Sequence, residues 1–498
     1  MSQPGANGRQ HYNVTLAALA VAGTAFALQQ TLVVPALPAL QHDLHTSTAW
    51  VTWLLSAFLL AASVATPLLG KLGDQHGKER LLVIALGIFF LGSLAAVFAP
   101  NVWFLIACRA IQGAGGAVFP LSFSIMKDEF PPEKLAFGVG IVSALFSVGA
   151  ALGTVLSGVI VDNTSWRGLF VLGTVVTGVA IVLVHRFVPE SPVKAPSRLD
   201  LPGAALLSGG LVCFLVALTE GESWGWRSGQ ILGLFAAAVL LLLAWSLVEL
   251  RVPEPMVDMR MLADRTVLLT NVTAALAGFA MFSSFVLVPN FARAPQGLTH
   301  ELAGLVDYGF GASVTKVGLY LLPGALAGLG SGLLAGILSR RWGWKLPLFL
   351  GMALATCGPA ALALWHDRPW HIILGMFLVG AGIPFTLAAT TNLIVDAVRP
   401  TETGVATAVN TVMRTVGGVI GGQVGAAILT TATIAGTSVP AESTFVTAFW
   451  ISTAVSVVAA VLALLVRPHT GRPLARSAVS RSCGQWTHGC AHRRGERG

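Results

Sequence analysis

Fourteen apolar stretches of about twenty residues follow one another along this 498-residue chain, and no other feature restricts its fold so strongly. They lie near residues 14–34, 51–70, 81–99, 103–126, 137–160, 168–188, 201–219, 230–250, 267–289, 315–338, 346–365, 371–395, 404–430 and 447–466. A hydrocarbon core about 30 Å thick takes about 20 residues of helix, with every backbone polar group bonded inside the segment. Each stretch therefore predicts a membrane-crossing helix. Composition agrees: 55% of residues are hydrophobic and 10% charged, and the mean hydropathy is +0.77. A soluble domain carries about 25% charged residues, so a soluble fold is excluded, as is intrinsic disorder. The first stretch is too long for a signal peptide. It follows a single fixed positive charge, Arg9, and runs into Pro35 and Pro38 without a cleavage site. It reads as a retained helix.

The net charge of +8 is distributed as membrane topology rather than as a nucleic-acid surface. Alternate gaps hold Lys71, Lys78, Arg80, Lys127, Lys134, Arg186, Lys194, Arg198, Arg251, Arg260, Arg265, Arg340, Arg341, Lys345 and Arg399. The opposite gaps hold Arg167, Arg227, Arg293 and Arg368. The positive-inside rule puts the first set, and with an even helix count both termini, in the cytoplasm. The Arg-rich, Ala- and Gly-rich composition leans toward a bacterial plasma membrane. Cys108, Cys213 and Cys357 fall in apolar stretches, so no disulfide framework is expected. Cys483, Cys490, His488 and His492 in the tail match no standard metal-finger spacing, and no metal or other cofactor is expected. There is no phosphate loop of the form G-x-x-x-x-G-K-[ST] and no clustered His, Cys and carboxylate set at one membrane depth, so an enzyme is not expected.

The gap after the second stretch, Gly70-Lys71-Leu72-Gly73-Asp74-Gln75-His76-Gly77-Lys78, has a counterpart after the tenth, Gly336-Ile337-Leu338-Ser339-Arg340-Arg341-Trp342-Gly343-Trp344-Lys345. Gly, Leu two later, Gly seven later and a following basic residue recur, which points to two halves in parallel repeat. With six helices in each half, stretches seven and eight become an inserted pair. Gly70 to Arg80, with its Gly-x-Leu-x-Asp core, and Arg109-Ala110-Ile111-Gln112-Gly113-Ala114-Gly115 resemble signatures of the major facilitator superfamily, specifically its fourteen-helix drug:proton antiporter branch. Leu199-Asp200-Leu201-Pro202-Gly203, Trp224-Gly225-Trp226 and Thr403-Gly404-Val405-Ala406 with Asn410 and Arg414 look like the same branch. The resemblance implies an all-α integral membrane protein of fourteen helices: two six-helix bundles plus an inserted pair. The expected units are an N-terminal tail (1–13), a first bundle (14–188), a linker with the inserted pair (189–250), a second bundle (251–466) and a disordered tail (467–498). The sequence departs from the pattern twice. The usual membrane Asp of the first helix is Gln29, and the usual Gly-Pro-x-x-Gly-Gly of the fifth helix becomes Gly153, Thr154, Ser157 and Gly158.

The resemblance also assigns expectations to residues. Asp74 is expected to accept hydrogen bonds at the N-terminus of the thirteenth helix, where the dipole favours an anion. Lys78 is expected to meet Asp128. With Gly70 and Gly77 these form a latch that holds the cytoplasmic side shut. Gln29, Gln30, Arg109, Gln112, Asn410 and Arg414 are the candidates for a central cavity or for coupling. Arg414 lies ten residues past Gly404, about 15 Å deep, near the midplane. Gly149, Gly153 and Gly158 are expected to let the fifth helix pack tightly against the other half. No Asp or Glu falls deep within any stretch. A coupling acid must then sit near an interface: Asp43, Asp162, Glu220, Glu222 or Asp307 outside, or Asp128 inside. The expected activity is export of amphipathic small molecules such as antibiotics by alternating access, driven by inward protons, from a monomer in a lipid bilayer, without nucleic acid. The alternatives are an uncoupled facilitator for a nutrient or single metabolite, and a non-transporting scaffold or sensor.

Overall fold

The computed structural model describes residues 12–46, 48–191, 200–252, 255, 257–294, 307–434 and 440–466. The 467–498 tail, with Cys483, Cys490, His488 and His492, and the side chains of Asp162 and Glu222 lie outside the described residues. Fourteen helices among them are long and apolar enough to cross a membrane. They are α1 (Tyr12–Leu32), α2 (Trp53–His76), α3 (Lys78–Val97), α4 (Val102–Glu129), α5 (Glu133–Val161), α6 (Arg167–Phe187), α7 (Pro202–Gly221) and α8 (Gly229–Glu249). They continue with α9 (Arg265–Arg293), α10 (Thr315–Trp342), α11 (Lys345–Leu364), α12 (Pro369–Ala397), α13 (Thr403–Leu429) and α14 (Glu442–Leu465). Each coincides with one predicted stretch. Short polar side chains start several of them. Asn101 accepts from the amide of Phe104, Ser228 from Ile231, and Asp264 from Thr266 and Val267.

The helices form two six-helix bundles and an inserted pair. In the first, α1 packs on α5 and α6, α3 on α6, and α4 on α2 and α3. In the second, α9 packs on α13 and α14, α12 on α10 and α11, and α11 on α14. Two seams join the bundles, α5 against α10 and α2 against α13. The inserted α7 and α8 pack chiefly on each other, and α7 leans on α2 and α13. The outer helix α8 leaves Val239, Leu240 and Leu243 at least 57% exposed, as a helix facing lipid requires.

Glycines set the seams. On α5, a Cβ at Gly140 would collide with the carbonyl of Gly332 on α10, and one at Gly336 would press on Ala136 and Phe137. On α2, a Cβ at Gly70 would stand 2.8 Å from the carbonyl oxygen of Gly404 on α13. This corrects an expectation. Gly149 and Gly153 face Thr24, Ala27, Leu28 and Thr31 of α1, in their own bundle, and Gly158 is buried. The inter-bundle face of α5 lies one stripe away, because α5 has close neighbours on two sides and small residues on both. The fourth stretch is also not one continuous α-helix. It tightens into a 3-10 turn at Gly113–Ala117, where Gly113 and Gly116 abut Ala61, Ala62 and Thr66 of α2. Trp166 is buried against Phe170.

Candidate functional site

The sealed end comes first. Asp74, at the end of α2, is buried, and its two carboxylate oxygens accept from the amides of Gly404 and Val405, each at 3.1 Å. Those amides belong to the first turn of α13, where N–H groups have no intrahelical partner and the dipole attracts an anion. Lys78 is fully buried and reaches Asp128 at 2.5 Å and Asp74 at 3.6 Å. Asp128 also accepts from the Ser191 hydroxyl. Gly77 has φ +116°, and the Glu190 carboxylate sits where its side chain would go, so two demands on one residue exclude any Cβ there. Glu190 accepts from the amides of Glu79 and Arg80 at 3.3 Å and caps α3. The expected latch residues thus meet.

Three further contacts at the same end cross between the bundles and were invisible in the sequence. Lys127 of α4 donates to the carbonyls of Val395 and Val398 at 2.5 and 3.4 Å, capping the C-terminus of α12. Arg340 donates to the carbonyl of Glu133 at 2.6 Å, and Thr407 to that of Pro120 at 3.3 Å. Lys127 and Arg340 had registered only as topology charges. Beside them, burial pushes the Glu402 carboxyl above its ordinary range, against the opposing pull of Arg399.

Away from this end, the bundles part around a cavity of about 660 Å³. Its walls come from the far halves of α1, α2, α5, α7, α9, α10, α12 and α13. They are mostly apolar, including Phe58, Phe146, Met281, Phe282 and Phe285. The polar groups on it are Gln30, Thr31, Ser56, Arg109, Ser147, Thr154, Thr219, Asn290, Arg293 and Gln423. Among the described residues no carboxylate lines it. A smaller cavity of about 30 Å³ adjoins it deeper in the second bundle, sharing Phe146, Met281 and Ile383 and reaching Thr386, Thr390 and Arg414.

The six cavity candidates divide. Gln30 and Arg109 line the large cavity and Arg414 the small one. Gln29, Gln112 and Asn410 line neither. Gln29 is buried, donating to the Gly173 carbonyl at 3.0 Å and the Thr177 hydroxyl at 2.6 Å while accepting from Ser93 at 2.7 Å. Gln112 donates to Ser93 at 3.1 Å and accepts from Arg109 at 2.6 Å. A hydrogen-bonded chain without a carboxylate therefore runs Arg109–Gln112–Ser93–Gln29–Thr177 through the first bundle. Arg109 also donates to the Leu54 carbonyl at 3.0 Å and lies 4.3 Å from the Phe58 ring centre, but its Nη2 has no hydrogen-bond partner. Asn410 donates to Asn271 at 2.9 Å and ties α13 to α9. Helix periodicity cannot separate Gln29 from Gln30, since adjacent residues point to different neighbours.

Of the candidate coupling acids whose side chains are described, Asp43, Asp128, Glu220 and Asp307, none lines either cavity. One mixed cluster, His366, Asp367 and Glu442, lies at the far end of the second bundle, with His366 Nε2 2.9 Å from Glu442.

A family model described as Major Facilitator Superfamily matches residues 19–422. The tetracenomycin C resistance and export protein of Streptomyces glaucescens is 29% identical over 79% of this chain and 71% of its own length. The multidrug resistance protein 3 of Bacillus subtilis (strain 168) is 27% identical over 77% of this chain and 72% of its own. Among solved structures, the human organic anion transporter MFSD10 (TETRAN) superposes with a TM-score of 0.63 at 14% identity, covering 91% of this chain and all of that one. That last likeness concerns the fold alone.

Proposed function

This chain belongs to the Major Facilitator Superfamily, and we propose that it exports amphipathic small molecules, antibiotics among them, from the cytoplasm of a bacterium by proton-driven alternating access. The observation that bears most weight is the pairing of an apolar, drug-sized cavity with a seal at one end only. Pockets for drug-sized ligands run from about 300 to 1,000 Å³. The positive-inside reading makes the sealed end cytoplasmic, so both termini are cytoplasmic and the captured state faces outward. The names of the bacterial relatives support efflux.

In this reading the cycle turns on the seal. Two peptide amides of α13 and one lysine hold the Asp74 and Asp128 carboxylates. Protonation of that cluster from the outward-facing state removes the charge that the α13 N-terminus attracts. The bundles then part at the cytoplasmic end and the cavity admits cargo there. A ligand or proton shifts such an equilibrium only by binding the two states unequally. The chain acts as a monomer, since each monomer contains both bundles and the whole cavity. Expression in a pump-deficient bacterial host raises resistance to amphipathic antibiotics. In proteoliposomes, cargo moves against its gradient only when a pH gradient is imposed. Absence of both overturns the reading.

One observation favours a second reading. The first-helix position usually held by Asp is Gln29, bonded to Ser93, Gly173 and Thr177, and among the described residues no carboxylate reaches either cavity. An uncoupled facilitator for one metabolite would need none. Substrate uptake indifferent to every ion gradient decides for it.

A further inference from the structure

Among the described residues three arginines line the two cavities, Arg109, Arg293 and Arg414, and no Asp or Glu does. Arg109 is largely engaged by the Leu54 carbonyl and Gln112. Arg414 is different. It lies near the midplane, and among the described residues its guanidinium has no hydrogen-bond or ion-pair partner. Its surroundings are Ala277, Met281, Val379, Leu387 and two threonines. Both threonine hydroxyls already donate to carbonyls of their own helix, Thr386 to Gly382 and Thr390 to Thr386. A cation held in such a place costs several kcal/mol unless it is paired or wetted, and among the described residues no carboxylate lines its recess.

We propose that Arg414 is the docking point for the ionised acid group of the cargo, so that the preferred substrates are amphipathic organic anions with one carboxylate or comparable group. This deepens the export reading and rests on it. Size supports the assignment. The space beside Arg414, about 30 Å³, is a small recess off the 660 Å³ cavity, of a scale that suits one polar head group. It adjoins the 660 Å³ cavity through Phe146, Met281 and Ile383, whose apolar faces suit the rest of an amphiphile. A planar guanidinium presents a fork of N–H donors matched to two carboxylate oxygens, with little reorganisation on binding. An inorganic anion would fill the small space and leave the apolar vestibule without an occupant. The position also links cargo to conformation. Arg414 belongs to α13, whose first turn holds Asp74, while Phe146 belongs to α5 of the other bundle. An anion seated there touches both sides of the rocking interface.

The test uses the purified full chain in detergent and two fluorescent probes of one shape, pyrenebutyrate and the neutral pyrenebutanol. Binding is read by energy transfer from the protein's tryptophans. Wild type is expected to bind the acid more tightly than the alcohol. Arg414→Gln weakens the acid about tenfold or more and the alcohol less than about twofold. Arg414→Lys keeps the charge without the fork and weakens the acid about three- to tenfold while leaving the alcohol within about twofold. If the Gln variant fails to fold, wild-type acid affinity in the Lys variant overturns the proposal. Equal weakening of both probes, or none, overturns the proposal. So does loss of pyrenebutyrate binding in chloride at physiological concentration, which would mark an inorganic-anion site. In vesicles, export of the alcohol but not the acid sinks this inference and leaves efflux standing. Movement of neither probe, nor of any antibiotic, strikes the efflux reading itself.

Discussion

The two ends of the bundle interface are built from different chemistry. At the sealed end the bundles are joined by charged groups against helix termini: Asp74 on the amides of Gly404 and Val405, Lys127 on the carbonyls of Val395 and Val398, Arg340 on the carbonyl of Glu133. Toward the other end, Gln30, Ser56, Asn290 and Gln423 line a gap between the same bundles. The difference teaches which end must be broken for the protein to turn over. Charge-assisted bonds to helix ends are strong enough to hold a state and can be cancelled by one proton. A mostly apolar wall with scattered dipoles and the arginines Arg109 and Arg293 can admit varied cargo without a fixed geometry.

The largest expected effect comes from removing the charged side of that contrast. Asp74→Ala deletes two hydrogen bonds to a carboxylate, each worth about 1.5–3 kcal/mol. Export should fall about tenfold or more, measured as antibiotic efflux at matched surface expression. Wild-type efflux in that variant would erase the distinction between the two ends. Next comes the seam on which both ends pivot. Gly140→Val forces a side chain into the Gly332 backbone and should cost about 1–3 kcal/mol. The thermal midpoint of the detergent-solubilised protein should drop by about 2–8 °C. An unchanged midpoint would show that the α5–α10 contact is looser than drawn.

Lys127→Gln removes a cation from the C-terminus of α12, worth about 0.3–1 kcal/mol or somewhat more where buried. A cysteine placed at Thr407, at the sealed interface, should then react about two- to fivefold faster with an impermeant maleimide added from the Lys/Arg-rich side. If the rate stays constant, Lys127 belongs to topology and not to the seal. The smallest effect sharpens the contrast from outside it. His185 lies 3.5 Å from Glu79 but is 77% exposed. His185→Ala should alter neither efflux nor the thermal midpoint, because such surface pairs contribute about 0–1 kcal/mol. A clear loss would mean that the seal extends to the surface of α6.

Much of the latch was legible because its chemistry is local. An Asp four residues before a Lys at the end of an apolar helix, with Gly77 between them, has few uses other than a helix-terminus contact. The partner at Gly404 was reachable through the same motif logic. Lys127 and Arg340 looked like any other basic residue in a gap, since nothing in their neighbourhood names the carbonyls, 268 and 207 residues away respectively, to which they donate. The glycines of α5 were found, but the stripe facing the other bundle was misassigned. Gly140 and Gly332 form the seam, while Gly149 and Gly153 serve α1. In a helix that is apolar all round, small residues mark close approach without saying to which neighbour.

What the sequence determined by itself was the number of spans, their ends and the depth of every charge. Those follow from the cost of exposing a peptide group or an ion to hydrocarbon, which acts on each segment separately. What only the tertiary structure decided was the direction in which each buried polar group points. Gln29 turns into its own bundle and Gln30 into the cavity, and Arg414 remains without a partner while Arg109 finds Gln112. Those outcomes depend on which helix lies alongside, and that is settled by packing among segments hundreds of residues apart.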